Sequence, residues 1–296
     1  MKKALSLLAA VLAALQLGGI PSARAESLSL FVFNVGKADC LLLRSGETAY
    51  LIDTGRGRTF DLVEKGLADL GVTHLDGVLI THTDSDHVGG LKKLLKSDIT
   101  VDRVYASAFY LPEKDDEKNP VLKAADKQEI SVRFLQGGDS LPLSGGSLEV
   151  LGPLRAAADK EDSNSLVLLA RTASGSMLLA GDMEFPEESD LLTAGVLTRA
   201  DVLKVGNHGD DDATSEALLS AVQPQVAIIS TSTEEKSSTP AARVLRLLEK
   251  WQIPVFQTQE TESGVLVVLQ DGTGRVYASP SAESGDPLYT FSLSAQ

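Results

Sequence analysis

Residues 81–90 concentrate side chains that can bind metal ions. The stretch reads Thr-His-Thr-Asp-Ser-Asp-His-Val-Gly-Gly and directly follows a short apolar run that is typical of a buried strand. In extended backbone, residues two apart point to the same side, so His82 and Asp84 can face one cation together. Asp86 and His87 follow where the chain must turn, and they can face a second cation close by. The pattern predicts a centre for two divalent cations; a polar surface loop in an acidic protein is the alternative interpretation.

Asp182 and His208 also come directly beyond predicted strands. A glycine separates Asp182 from the apolar run 178–180, and His208 follows the strand predicted at 202–205. In sheet-based folds, residues beyond strand ends converge on one crevice. We therefore expect both side chains to join the cluster formed by residues 81–90.

Alternating strand and helix patterns must position these residues. Strands that lead into helices, in both halves of the chain, indicate two sheets packed face to face with helices outside. We expect an α/β (α+β) architecture in a single domain over residues 26–280, followed by a flexible, Ser-rich tail at 281–296. The predicted helices are 60–70, 91–96, 186–192, 214–222 and 240–250, and the predicted strands are 28–33, 40–43, 48–52, 77–80, 101–105, 131–134, 148–151, 166–171, 176–180, 202–205, 226–230, 255–257 and 265–269.

The first 25 residues have the features of a signal peptide. Two lysines precede an apolar run from Ala4 to Leu17, and Ala23-Arg24-Ala25 places small residues where a signal peptidase requires them. We expect cleavage after Ala25 and a secreted, extracytoplasmic protein. No later apolar run approaches the ~20 residues of a membrane span, so no transmembrane segment is expected in the mature protein.

The composition restricts the classes of partner. The 296 residues include 41 acidic and 27 basic side chains, a formal net charge of −14. Such a charge argues against loose, sequence-independent adhesion to nucleic acid or anionic membranes. It leaves an anionic substrate open, because bound divalent cations can reverse the local field. The single cysteine, Cys40, excludes an intramolecular disulfide and is interpreted as a buried structural thiol.

Six pieces of sequence carry a resemblance to a known family, and they extend over about residues 28–270. The chain resembles the metallo-β-lactamase-fold hydrolases and, within them, the extracellular domain of ComEC-type DNA-uptake proteins. The resemblance implies a four-layer αβ/βα sandwich. The pieces are Asn-Val-Gly-Lys-Ala-Asp at 34–39, Leu-Ile-Asp-Thr-Gly at 51–55, the stretch 81–90, Asn-Ser-Leu-Val at 164–167, Gly-Asp at 181–182 and Leu-Lys-Val-Gly-Asn-His-Gly at 203–209.

The resemblance also implies roles for individual residues. It makes His82 and Asp84 ligands of a first metal ion, and Asp86 and His87 ligands of a second. Asp182 would bridge both ions, and Asp86 and Asp182 would be the catalytic carboxylates. The remaining implied ligand is His208, which completes the second site. The implied neighbours of the centre are Asp39, Asp53, Asn164 and Asn207. Of these, Asp53 matches a position that shapes a loop of the site rather than binding metal.

Three positions depart from the family pattern. Asp84 stands where many members have a histidine, and Asn164 with Ser165 occupies the region where another metal-binding histidine is expected. Asn207 replaces the first histidine of a His-His-Gly sequence. Oxygen ligands in place of imidazoles favour manganese or magnesium, while zinc remains possible. We expect two divalent metal ions, manganese or zinc, with magnesium as a further option.

These observations support three alternative functions. The first is a secreted phosphodiesterase or nuclease-like hydrolase, acting on a small-molecule or nucleic-acid diester such as single-stranded DNA, in which two cations share a carboxylate and a hydroxide. The second is a phosphorylcholine-esterase-like or lactonase-like hydrolase of a small ester. The third is a non-catalytic binding module with a decayed metal site, to which Asn207 points. Lys92, Lys93 and Lys96 could guide a phosphate backbone or simply form an exposed helix face. No obligate protein partner is inferred.

Overall fold

The computed structural model of the chain describes residues 27–110, 118–157, 160–279 and 285–293. The predicted signal peptide lies outside these residues. The helices of the described residues are α1 (Phe60–Asp69), α2 (Ser85–Val88), α3 (Leu91–Leu94), α4 (Pro120–Asp126), α5 (Phe185–Ala194), α6 (Glu216–Val222) and α7 (Ala242–Lys250). Its strands are β1 (Leu28–Phe33), β2 (Leu41–Ser45), β3 (Thr48–Ile52), β4 (His74–Leu75), β5 (Gly77–Ile80), β6 (Thr100–Val101), β7 (Val104–Ser107), β8 (Val132–Leu135), β9 (Ser140–Leu143), β10 (Gly146–Gly152), β11 (Val167–Thr172), β12 (Gly175–Leu179), β13 (Val202–Lys204), β14 (Val226–Ile229), β15 (Val255–Gln257), β16 (Gly264–Gln270), β17 (Thr273–Tyr277) and β18 (Tyr289–Ser292).

The strands form two large sheets. Within the described ranges, one sheet has the order β18-β17-β16-β1-β2-β3-β5-β7-β8, and the other has the order β15-β14-β13-β12-β11-β10-β9. Hairpins make the first part of each sheet antiparallel, whereas β3, β5, β7 and β8 pair in parallel, as do β12 to β15. Parallel pairs require crossover connections, and these carry the helices onto the outer faces.

The alternation of side chains along β1 separates the core into layers. Leu28, Leu30 and Val32 are buried between the two sheets, where they join apolar residues of the second sheet. Phe31 and Phe33 point to the opposite face and pack with apolar residues of α1, α3 and α4. A third cluster covers the outer face of the second sheet with α5, α6 and α7. Because each sheet buries both faces, the architecture is the predicted four-layer αβ/βα sandwich, which confirms the fold class.

One sequence expectation, the flexible tail, differs from the structure. Residues 281–296 were predicted to be a flexible tail, but Tyr289–Ser292 form strand β18, which pairs with β17 and buries Phe291. The prediction is wrong for this segment because its alternating aromatic residues fit a half-buried edge strand. Among the described residues, no helix has the length and apolar character needed to cross a membrane.

Candidate metal centre

The site lies where several strands end on the same side of the sandwich. β5 leads into His82 and the short helix α2, and β12 leads through Gly181 into Asp182. β13 is parallel to β12, so the turn after it delivers His208 to the same end. β11 is antiparallel to β12, and the segment that precedes β11 therefore arrives there as well. The predicted convergence of strand ends is present in the structure.

Among the residues that the structure describes, four buried side-chain atoms in this crevice have no hydrogen-bond partner: Nε2 of His82, of His87 and of His208, and Oδ1 of Asp182. Leaving a buried polar atom unpaired costs about 1–3 kcal/mol, so such atoms call for an explanation. Nε2 of His87 lies 3.2 Å and Nε2 of His208 lies 3.4 Å from Oδ2 of Asp182. The unpaired atoms thus converge, and their nitrogen and carboxylate chemistry fits divalent cations.

The side chains form two adjoining groups. His82, His87 and Asp182 each offer an atom within 4.8 Å of the others, and so do Asp86, His87 and His208. Asp182 is therefore close to both sides of the centre. The structure brings together every residue proposed as a metal ligand, since Asp84 also joins His82 in a group of the same dimensions.

Asp162 is a member of the site that sequence reasoning missed. Its Oδ1 lies 3.7 Å from Nε2 of His82, and the two residues form a group with Asp84. Burial and the nearby charges of Asp182 and Asp84 raise the pKa of Asp162 to about 7. A cation would offset this concentration of negative charge. The available sequence signal was the acidic pair Glu161-Asp162 just before the Asn-Ser-Leu-Val piece.

Asp53 orients His87 from beneath the centre. Its Oδ2 accepts a hydrogen bond from Nδ1 of His87 at 2.8 Å, which leaves Nε2 of the imidazole free for a cation. Asp53 also accepts bonds from the Thr81 amide at 2.8 Å and the Thr81 hydroxyl at 2.7 Å. These bonds hold Asp53 in the left-handed region, at φ 58°, which is uncommon for a residue with a side chain.

His82 is oriented in the same way by two hydroxyl groups. The Thr81 hydroxyl, 3.2 Å from Nδ1 of His82, already donates its proton to Asp53, so it can only accept from the imidazole. Oγ of Ser165 lies 3.1 Å from the same Nδ1 and accepts a hydrogen bond from the Asp182 amide at 3.1 Å. In the tautomer with the proton on Nδ1, both hydroxyl groups accept from His82, and Nε2 faces the crevice with its electron pair.

His208 is held by a buried polar network. Its Nδ1 donates to the Ser230 carbonyl oxygen at 2.9 Å, and the Ser230 hydroxyl donates to Asp39. Asp39 in turn accepts from Nζ of Lys204 at 2.7 Å. Burial would raise the pKa of Asp39, but the charges of Lys204, His208 and His87 together outweigh burial and lower it. Both oxygens of Asp39 are thus engaged, and Asp39 supports His208 rather than facing a cation.

Protonation equilibria of the central residues follow from their charges. Burial opposes protonation of His87, yet the carboxylates of Asp182 and Asp53 raise its pKa well above the ordinary value. Burial would raise the pKa of Asp182, but His208 and His87 lower it well below the ordinary value. Burial and the charge of His87 lower the pKa of His82. The charges around Asp182 therefore keep this carboxylate ionised between two imidazoles.

Asn164 and Asn207 do not face the metal centre. The Asn164 side chain bonds the backbone of Ala157, with Oδ1 accepting at 2.8 Å and Nδ2 donating at 3.2 Å. The Asn207 amide donates to Glu184 and Asp212, each at 3.4 Å. Both asparagines therefore have structural contacts of their own, in networks beside the centre.

The turn around Asn207 explains how His208 reaches the site. Asn207, His208 and Gly209 all have positive φ, at 44°, 53° and 77°. Such backbone costs of the order of 1–3 kcal/mol for a residue other than glycine, and it persists where surrounding contacts determine it. The reversal aims the imidazole of His208 back toward Asp182.

Two cationic side chains border the second-metal side. Nη2 of Arg56 lies 3.0 Å and Nζ of Lys37 lies 3.6 Å from Oδ2 of Asp86. Burial would raise the pKa of Asp86, but His87 and Lys37 are the leading charges that lower it. Lys92 and Lys93, by contrast, are exposed on α3, and Lys93 pairs with Asp61. Positive charge near the centre is therefore supplied by Lys37 and Arg56.

Comparison with known proteins identifies relatives of the chain. The pattern of the family described as "Metallo-beta-lactamase superfamily" matches residues 34–233. The chain is 31% identical over 247 residues to ComE operon protein 3 of Bacillus subtilis (strain 168), covering 77% of this chain and 31% of that protein. It is 25% identical over 273 residues to Competence protein ComA of Neisseria gonorrhoeae, covering 89% of this chain and 36% of that protein. The chain spans about a third of the length of these relatives.

A solved structure shares the fold. The metallo-beta-lactamase fold protein YhfI from Bacillus subtilis aligns with a TM-score of 0.53 and 12% identity, over 82% of this chain and 99% of that one. The family match and the competence-related relatives confirm the resemblance predicted from the sequence pieces. The chain belongs to the metallo-beta-lactamase superfamily and is related to its ComEC-type domains.

Proposed function

We propose that the chain is a metal-dependent phosphodiesterase that holds two divalent cations and hydrolyses a diester such as single-stranded DNA. The observation that carries this proposal is the convergence of unpaired, buried Nε2 atoms of His82, His87 and His208 on the Asp182 carboxylate. When bound, divalent cations supply Lewis acidity toward a phosphoryl oxygen and toward the attacking water. The proposed catalytic carboxylates are Asp86 and Asp182.

The residues of the chain prepare the site before substrate arrives. Asp53 and the Ser230 carbonyl oxygen fix the imidazoles of His87 and His208 with Nε2 toward the crevice. Asp182 lies between those two imidazoles, with Oδ2 3.2 Å from Nε2 of His87 and 3.4 Å from Nε2 of His208. Because these ligands are already held in place, the activation free energy includes no cost for ordering them.

Lys37 and Arg56 favour an anionic substrate over a neutral ester. Both reach the Asp86 carboxylate and are largely shielded from solvent, with side chains 14% and 23% exposed. Charge-assisted hydrogen bonds to phosphate are about twice as strong as neutral ones. A phosphate group that approaches Asp86 would meet these two donors. The competence-related names of the relatives support a nucleic-acid diester as the substrate.

A substrate comparison tests the proposal. Purified protein with Mn²⁺ or Zn²⁺ is offered bis-p-nitrophenyl phosphate, p-nitrophenyl phosphorylcholine, a lactone panel and single-stranded DNA. We expect diester cleavage that needs added metal and is lost in Asp182→Asn. Preferential turnover of lactones would replace the phosphodiesterase by the small-ester alternative. Preferential turnover of p-nitrophenyl phosphorylcholine, which is itself a phosphodiester, would replace the nucleic-acid substrate by a small phosphorylcholine ester. Absence of bound metal and of all turnover would favour the binding module.

We further propose that the protein acts outside the cytoplasm. The support is the basic, apolar and small-residue order of residues 1–25. N-terminal sequencing of protein recovered from the extracytoplasmic fraction should begin at Glu26. Recovery of chains that retain Lys2 and Lys3 in the cytoplasmic fraction alone would contradict this proposal.

A further inference from the structure

We propose that Asp162 is a ligand of the first cation and takes the place of the histidine expected near residue 164. This inference rests on the proposed metal-dependent function and deepens it by naming a ligand from a separate loop. The loop is a 3₁₀ turn, Asp162–Asn164, which lies just before β11 and at the same end of the sandwich as Asp182.

The distances place Asp162 within the first site. Its Oδ1 is 3.7 Å from Nε2 of His82, and His82, Asp84 and Asp162 each offer an atom within 4.8 Å of the others. The His82 side chain is fully buried, and its Nε2 has no hydrogen-bond partner within the described part of the chain. In the tautomer with the proton on Nδ1, Nε2 presents an electron pair toward two carboxylates. An electron pair and two carboxylates attract a cation to the space between them.

Hydrogen bonds fix both ends of the turn, so Asp162 is held in position. The Asn164 side chain bonds the amide and carbonyl groups of Ala157. Glu161 accepts a hydrogen bond from the Thr83 amide at 3.1 Å and another from the Thr83 hydroxyl. The second connection links the turn directly to the segment that carries His82. The same contacts give Asn164 and Glu161 structural roles that support Asp162.

The residue that closes the turn also positions two other ligands. Oγ of Ser165 contacts Nδ1 of His82 and accepts the hydrogen bond of the Asp182 amide. The same loop therefore contacts two other residues proposed as ligands, His82 and Asp182. The segment 162–165 therefore acts as a unit, which provides one ligand and orients two more.

With Asp162 as a ligand, the two sites are chemically unequal. Its addition leaves the first site with one imidazole among carboxylates, whereas the second site has two imidazoles. Oxygen-rich sites suit manganese or magnesium, and imidazole-rich sites suit zinc. The first site would consist of His82, Asp84, Asp162 and Asp182, and the second of Asp86, His87, His208 and Asp182.

Metal counting on the purified chain tests this assignment without using activity. Calorimetry measures the binding of Mn²⁺ or Zn²⁺ to wild type, Asp162→Asn and Asp162→His. The control is Asp98→Asn, which removes an exposed charge. Bound metal is then measured after gel filtration. We expect two equivalents in wild type and control, and one in Asp162→Asn with at least ~100-fold weaker binding at the lost site, because outer partners alone change affinity about 10–100-fold. Asp162→His should regain the second equivalent and shift its preference from Mn²⁺ toward Zn²⁺.

Two Mn²⁺ equivalents of wild-type affinity in Asp162→Asn would overturn the inference. The inference would also be overturned if Asp162→Asn weakened metal binding at both sites equally and lowered the unfolding midpoint of the protein after its metal had been removed by a chelator. Asp162 would then have a purely structural role. Wild type that binds two ions but cleaves no diester would refute only the substrate assignment, and the metal counts would still decide the role of Asp162. Wild type that binds no metal would refute both proposals.

Discussion

Nζ of Lys204 lies 2.7 Å from Oδ2 of Asp39, and both side chains are almost completely buried beneath His208. The lysine also donates to the Val205 carbonyl oxygen at 3.0 Å. This pair connects the loop before β2 in one sheet with β13 in the other, so it joins the two halves of the sandwich directly below the metal centre.

Removing one member of this pair should destabilise the fold strongly. Lys204→Met leaves the Asp39 carboxylate buried without its cation, and we expect a loss of about 3–5 kcal/mol in the free energy of unfolding. Urea denaturation measures the loss. The double variant Lys204→Met/Asp39→Asn should lose less than the two single variants together, because no uncompensated charge remains. Strictly additive losses would contradict the ion pair.

Asp53→Asn should weaken the second metal site while leaving the fold intact. The amide cannot hold Nδ1 of His87 as the carboxylate does, so the imidazole loses its fixed orientation. We expect Mn²⁺ or Zn²⁺ affinity to fall by about 10–100-fold in calorimetric titrations. Asp102→Asn, which changes an exposed partner of His74, is the matched control and should bind as wild type does. Unchanged affinity in Asp53→Asn would show that the tautomer is fixed by other contacts.

Glu187 predicts a specific pH dependence of stability. Burial, followed by the charges of Asp190 and Glu184, raises its pKa well above the ordinary value, and neither carboxylate oxygen has a hydrogen-bond partner in the ranges that the structure describes. The folded state therefore keeps this proton to higher pH than the unfolded chain, whose carboxyl titrates near ~4.3. Stability linked to Glu187 is fully present below that value and is lost as pH rises through the folded pKa.

Glu187→Met removes this titration. We expect the variant to be more stable than wild type by about 1–3 kcal/mol at pH 8, with the difference shrinking toward pH 4. Thermal or urea unfolding across this range provides the measurement. Glu64→Met, at an exposed position of α1, should show no such trend. A constant difference at all pH values would assign the effect to packing.

Lys37→Gln should affect binding of an anionic substrate. Loss of a charge-assisted hydrogen bond is worth about 1.5–3 kcal/mol, so KM for bis-p-nitrophenyl phosphate should rise about tenfold or more with a smaller change in kcat. Lys92→Gln alters an exposed lysine of α3 and should leave both constants unchanged. The opposite ranking would move the phosphate-binding surface to α3.

The sequence was sufficient for the fold and for the residues that follow strands. His82, Asp182 and His208 were predictable because strand ends gather at one side of a sandwich, whatever the details of packing. Asp162 follows no strand, and its position depends on contacts of Asn164 and Glu161 with distant backbone. Tertiary contacts of this kind leave no periodic pattern in the sequence.

The network below His208 has one signal in the sequence. Lys204 is a charged residue in an otherwise apolar strand, and such a residue requires a buried partner. The identity of the partner could not be predicted, because Asp39 is 165 positions away in the chain. Similarly, Asn207 gave no indication that its amide would join Glu184 and Asp212 rather than face a cation.

The left-handed turn at Asn207, His208 and Gly209 has a consequence for how the protein acquires metal. Since backbone geometry already directs His208 inward, loading does not require the loop to refold around an incoming ion. Metal uptake should therefore resemble the docking of a ligand in a rigid receptor, with a small heat-capacity change and a rate set by desolvation of the ion.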